Sequence, residues 1–272
     1  MPKSSGTPRV FQDLTSSPLA KAVFLLTLAG FLFSIWAILL GFRHGPYEFH
    51  TFRQTQTAIT AEYLENGGPF LKYETPVLGP PWSIPFEFPL YQWIVAFVAK
   101  HFSANLDETG RAVSIFFFYA SFFPLASILR RLRFRPRQIA VILVLVAASP
   151  LYIFVSRLFM IESTALFFSI AYVDQVFRLT LGDRPWQYTN MALAAVFGTL
   201  AGLVKVTTFL PYMFWPLQWQ HSSSGECDAP GSSSGVGPLL SSSLVRSYRS
   251  SAPHCGRSLL TRRRRRIRWA LT

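Results

Sequence analysis

Long apolar runs, separated by short polar segments, set the frame of this chain. The first, LAKAVFLLTLAGFLFSIWAILLGF at 19–42, is over 20 residues long. A membrane span needs about 20 apolar residues, whereas the apolar part of a signal peptide covers about 7–15. No small-x-small cleavage site closes the run, so it reads as a retained transmembrane helix. Runs at 112–129, 139–155, 163–177, 191–204 and 207–219 read as further spans, the later ones short. The run LYQWIVAFVAKHF at 90–102 is too short to cross comfortably.

The polar segments carry a different pattern. FHTFRQTQTAITAEYLENGG, residues 49–68, is polar at one end and helical in spacing at the other. Ala58, Ala61, Tyr63 and Leu64 recur near helical spacing, and Gly67 and Gly68 stop the pattern. This predicts a short amphipathic helix lying along a membrane interface. Thr55 is a candidate for its cap. The Pro-rich segment PVLGPPWSIPFEFP follows with no regular period.

Charge orients these elements. Basic clusters beside spans mark the cytoplasmic side. Residues 1–18, with Lys3 and Arg9, are therefore expected inside, and the first helix delivers 43–110 to the outer face. If 90–102 crossed, RRLRFRPR at 130–137 would fall outside. If 90–102 lies flat on the outer face, that basic run is cytoplasmic, and this arrangement is preferred. Spans at 139–155 and 191–204 then run outward, while 163–177 and 207–219 return. Arg178, Asp183 and Arg184 end inside; Arg157, Glu162 and Lys205 end outside, facing the 43–110 loop.

Composition agrees with this frame. The chain has 272 residues, of which 50% are hydrophobic and 14% charged. Soluble domains carry about 25% charged residues. The net charge of +13 sits largely in 130–137 and in RRRRRIR at 262–268, so it marks membrane sidedness, and no nucleic-acid partner is expected. Cys227 and Cys255 are too few for a disulfide framework and lack zinc-site spacing. The expected fold is all-α, a polytopic transmembrane protein with amphipathic juxtamembrane helices in the first outer loop.

Past Trp219 the pattern stops. Residues 219–272 are rich in Ser, Gly and Arg without apolar periodicity. Two readings fit: a stretch out of frame that truncates the protein, or a basic tail for anionic lipid.

The outer loop is where chemistry is expected. A carboxylate at a low-dielectric surface can act as a base for a hydroxyl, and Arg or Lys can hold a phosphate leaving group. Arg53, Gln54, Gln56 and Thr57 form a candidate polar binding surface, against the plainer reading of a solvated helix start. Glu87 sits among Pro and aromatic residues, as a functional carboxylate or an Arg partner. Glu48 lies between Tyr47 and Phe49, near His44 and His50; a divalent metal there matches no specific motif. Glu162 suits a helix N-terminus by its charge alone, yet an ionisable group at membrane depth is also a functional candidate. Lys205 can snorkel or hold a lipid phosphate. Glu62 and Glu65 read as a solvated face.

Four segments, in order, carry a resemblance: FRQTQTAITAEYLENG, PPWSIPFEFPLYQW, SRLFMIESTALFF and AGLVKVTTFLP. Over residues 19–218 the chain resembles polytopic membrane glycosyltransferases of the GT-C type, such as protein mannosyltransferases and bacterial lipid A aminoarabinose transferases. The resemblance implies a polyprenyl-phosphate sugar donor, a lipid, glycan or protein acceptor, and a multi-pass home in a bacterial inner membrane. It also implies an acidic base in the first outer loop. The family's acidic pair falls here at Arg53 and Gln54, so Glu48 or Glu87 is expected to substitute. Glu162 matches an acidic helix start of the family. Lys205 matches its Gly-x-x-Lys segment, at the lipid phosphate. Such enzymes run to roughly twice this length, so the chain is expected to be truncated and inactive alone. A transporter or flippase using the same polar face is the rival class; internal repeats, which transporters commonly show, are not evident.

Overall fold

A computed structural model describes residues 18–42, 50–74, 82, 87–181 and 187–225, with backbone alone at 19, 181 and 215–225. Glu48, His44, most of the Pro-rich loop, Asp183, Arg184 and the Arg-rich tail lie outside the described residues. The chain divides into Met1–Ser224 and Gly225–Thr272, and the described helices belong to the first unit, save the last residue of the final one.

Every regular element among the described residues is a helix. In chain order they are α1 (Pro18–Leu40), α2 (Thr51–Glu65), α3 (Leu90–Phe102), α4 (Leu106–Ala120), α5 (Phe122–Arg131), α6 (Pro136–Ala147), α7 (Pro150–Ser156), α8 (Glu162–Leu181) and α9 (Gln187–Gly225). Among the described residues three stretches are, by length and composition, long and apolar enough to cross a membrane: Ala20–Leu40, Leu106–Arg131 and Gln187–Phe214. A fourth is possible if α6 and α7 count together.

The helix ends follow local chemistry. α2 stops in a Schellman motif: the Gly67 N–H bonds the Leu64 carbonyl, the Gly68 N–H bonds the Tyr63 carbonyl, and Gly67 takes φ +90°. Only glycine adopts that conformation without cost. α4 begins at Asn105, whose Oδ1 accepts from the N–H groups of Asp107 (2.9 Å) and Glu108 (3.3 Å). Asp107 and Glu108 then sit in the first turn, where the helix dipole favours them. Between α4 and α5 the helix tightens at Ser121. Pro124 lacks the N–H that would bond the Ala120 carbonyl, and the Ser121 hydroxyl bonds the Phe118 carbonyl at 2.6 Å.

The expected spans need three corrections. The run 139–155 is not one straight helix: α6 and α7 meet at 64°. Pro150 opens α7, and Ser149 before it is extended (ψ 126°), as the residue before proline favours. The run 163–177 extends to all of α8, which is not among the stretches apolar enough to cross. It carries Asp174, Gln175 and Arg178 and packs against α4, α5 and α7. The end of the 207–219 run also moves, because helical backbone continues through Gly225.

The expected reversal between 191–204 and 207–219 has a clear trace. α9 breaks at Lys205, which has extended φ −161° and ψ 97°. The Phe209 ring lies 3.6 Å from where a Cβ on Gly198 or Gly202 would stand. In a straight helix those residues would be roughly 16 and 10 Å away along the axis. The chain therefore folds back at Lys205, and Gln187–Phe214, a candidate by length and composition, is not one straight crossing. β-branched Val204, Val206, Thr207 and Thr208 surround the break and weaken helix there.

α2 packs chiefly on α3, α1 on α6, and α4 and α5 on α8. The main core joins Ala61 of α2, Tyr91 and Val95 of α3, Phe117 of α4, Phe159, Ala165 of α8, and Ala201 and Val204 of α9. It brings α2 against the start of α8 and the break in α9. A second core, around Ile128, Ile170, Val173 and Phe177, closes the other end of α8.

Candidate functional site

The polar start of α2 divides by helix face. Gln54, Thr57, Thr60, Ala61 and Leu64 point inward and are buried. Glu62 is exposed and Glu65 half-buried. The threonines spend their hydroxyl protons on their own helix: Thr55 on the Thr51 carbonyl, Thr57 on Arg53 and Thr60 on Gln56. Thr55 is thus not the cap; the helix begins four residues earlier, after His50 in a left-handed conformation.

Arg53 turns the other way and pairs with Glu87. The Glu87 backbone is fixed as well. Tyr73 donates its hydroxyl proton to the Glu87 carbonyl (2.7 Å) and accepts from the Glu87 N–H (3.1 Å). Tyr73 is itself buried, in a small cluster with Leu64 and Ala96. The segment after α2 therefore returns the Glu87 side chain to the start of α2, while Tyr73, packed by the end of that helix, fixes its backbone. Glu87 keeps some exposure, with 17% of its side chain accessible.

Gln54 braces the turn that leads into α8. Fully buried, it accepts the Phe159 N–H on Oε1 at 3.1 Å. The same turn is held from α3 and α4. Tyr91 donates to the Gly110 carbonyl (2.7 Å) and shares a bond with Ser114 (2.9 Å), and Ser114 donates to the Met160 carbonyl (3.1 Å). The Phe159 ring occupies the place a Cβ on Gly110 would need, so only glycine fits there. Arg111, 1% exposed, donates to the carbonyls of Gly41 (3.2 Å) and Arg157 (3.5 Å). Burial pushes the Tyr91 hydroxyl well above the usual tyrosine range, with a smaller contribution from the Glu162 carboxylate nearby.

Glu162 opens α8 and bonds Lys205 at the α9 break, 2.5 Å from Oε1 to Nζ. Its other oxygen, Oε2, is buried with no hydrogen-bond partner among the described residues. Both side chains keep roughly a quarter of their surface, 22% and 25%. An ammonium at a helix break, with about a quarter of its side chain accessible, can bind an anion through its nitrogen.

Of the sequence-predicted residues, the structure gathers Arg53 with Glu87, and Glu162 with Lys205, around one shared core. Gln54 is structural, not open to a ligand. Gln56 is half-buried at the same helix start. Glu48 lies outside the described residues. Among the described residues no group of three His, Cys, Asp or Glu could hold a metal ion. Sequence reasoning missed Tyr73, Tyr91, Ser114 and Arg111. The last three lie within or beside apolar runs, where a lone hydroxyl or cation is the available signal. No protein-family profile, curated protein or solved structure shows a significant match to the chain.

Proposed function

We propose that the chain is a multi-pass membrane protein, in a plasma membrane of the bacterial kind, and forms part of a GT-C type glycosyltransferase. It would move a sugar from a polyprenyl-phosphate donor to a lipid, glycan or protein hydroxyl at the outer face. The acceptor oxygen bonds to the anomeric carbon, the bond from that carbon to the phosphate oxygen breaks, and polyprenyl phosphate leaves. The acceptor proton passes to a carboxylate. Glu87 is assigned as that base, held by Arg53 and Tyr73; Glu48 is a second candidate. Lys205 is assigned to the donor phosphate, with Glu162 orienting it, and Gln56 to the polar rim.

The observation that carries this reading is the Glu162–Lys205 pair at a helix break, packed through the common core against the helix that bears Arg53. A charged pair costs free energy to keep beside apolar surface, and a structural role alone would not call for an unused carboxylate oxygen. The departure at Arg53 and Gln54 fits as well: with no acid there, Arg53 draws Glu87 in from the loop.

A photoreactive polyprenyl-phosphate sugar, cross-linked to the full chain in lipid nanodiscs and mapped by mass spectrometry, tests the assignment. Labels at 53–57, 160–162 and 205–209 are expected. Labels confined to the exposed apolar face of α1 would contradict it.

A further inference from the structure

At the opposite end of α8 lies a second charged site that the proposed transfer does not use. Asp174 is 3% exposed. Its Oδ2 accepts from Arg178 Nε at 2.9 Å, and its Oδ1 stands 3.8 Å from Arg131 Nε. Neither of those last two atoms has a hydrogen-bond partner among the described residues. Arg178 also donates through Nη2 to Ser127 at 3.0 Å. Two side chains of α5 and two of α8 are thereby drawn together, and the ring of bonds between Asp174 and Arg131 stays open.

Two cavities meet there. One, about 730 Å³, is walled by Phe116, Phe167 and Phe197; the other, about 740 Å³, holds Arg130 and Arg131. They share Tyr119, Phe123, Ser127 and Arg178. Arg131 and Arg178 flank one carboxylate and Arg130 lines the adjoining cavity, so cations outnumber the anion and the charged end attracts an anionic group. The rest of the wall is aromatic, and Phe116 and Phe123 are exposed at its mouth. Cations at one end and a continuous apolar wall at the other match an amphiphile with an anionic head.

We propose that this groove between α4–α5 and α8 binds an anionic phospholipid, its phosphate on Arg131 and Arg178 and an acyl chain along the aromatic wall. Asp174 acts as a positioning residue, holding both guanidinium planes toward the groove. The inference uses the membrane placement but not the transfer chemistry.

The test is thermal unfolding of the full chain in neutral detergent, titrated with phosphatidylglycerol, phosphatidylcholine or inorganic phosphate. Phosphatidylglycerol is expected to raise the midpoint saturably, at concentrations at least about tenfold below phosphatidylcholine, given the strength of charge-assisted hydrogen bonds. The triple change Asp174→Asn with Arg131→Gln and Arg178→Gln removes both phosphate-binding cations together with their counter-ion, leaves none of the three charges without its partner, and is expected to abolish that preference. Equal shifts from both lipids, the same shift from inorganic phosphate alone, or an undiminished preference in the triple variant would each overturn the proposal.

Discussion

Two residues near the start of α8 carry the most exacting demands. Gly110 faces the Phe159 ring with no room for a methyl group. Gly110→Ala should destabilise by about 1–3 kcal/mol, the usual cost of overpacking, read as a lower unfolding midpoint. Tyr91 makes a prediction in pH. Its hydroxyl is raised by burial, so the folded chain keeps the proton at pH values where the unfolded chain has lost it. Stability linked to Tyr91 is therefore fully present below the unfolded value, near pH 10, and declines as pH rises above it. Tyr91→Phe should flatten that decline while costing about 1–3 kcal/mol at neutral pH, because the Gly110 carbonyl and Ser114 lose a partner. An unchanged alkaline slope in the variant would assign it to another group.

Among the elements, the ends are where local rules decide. Asn105→Ala removes the acceptor for two N–H groups at the start of α4 and should cost about 1 kcal/mol. α5 ends in a Schellman motif like that of α2, but with Arg133 at φ 62° in the place where α2 has glycine. Arg133→Gly should stabilise, by up to about 1 kcal/mol, since glycine relieves the left-handed strain. Denaturant midpoints measure both. These contrasts also show what the sequence makes legible. The glycine pair after Leu64 and the run to Arg131 could be read directly, because helix-stop chemistry and apolar length are local. The bend at Pro150 was marked by its proline, yet the apolar count across 139–155 hid it. α8 was readable as a helix but not as an interior one, because its Asp174 and Arg178 have partners about fifty residues away in Arg131 and Ser127.

In the whole molecule, the site depends on returns of the chain that no local pattern specifies. Glu87 stands out in the sequence for its Pro and aromatic neighbours, but its side-chain partner, Arg53, lies 34 residues earlier, and Tyr73, which bonds its backbone, lies 14 residues earlier. Gln54 read as a ligand-facing amide because the inward face of α2 is built from small polar residues. Sidedness is tested at Leu106–Arg131, 26 residues and so roughly 39 Å long, enough to span a bilayer core of about 30 Å. With Cys227 and Cys255 replaced by Ser, a cysteine at Glu108 should react with an impermeant maleimide in intact cells, and one at Arg133 after permeabilisation. The same side for both would contradict the spanning arrangement.

The proposed donor site rests most directly on Lys205. Its test is equilibrium binding of a labelled polyprenyl-phosphate hexose to the purified chain in nanodiscs, for the native sequence and for Lys205→Gln. A charge-assisted contact to the phosphate predicts saturable binding that weakens by about tenfold or more in the variant. Absent saturable binding, or equal affinity in the two chains, would contradict the assignment.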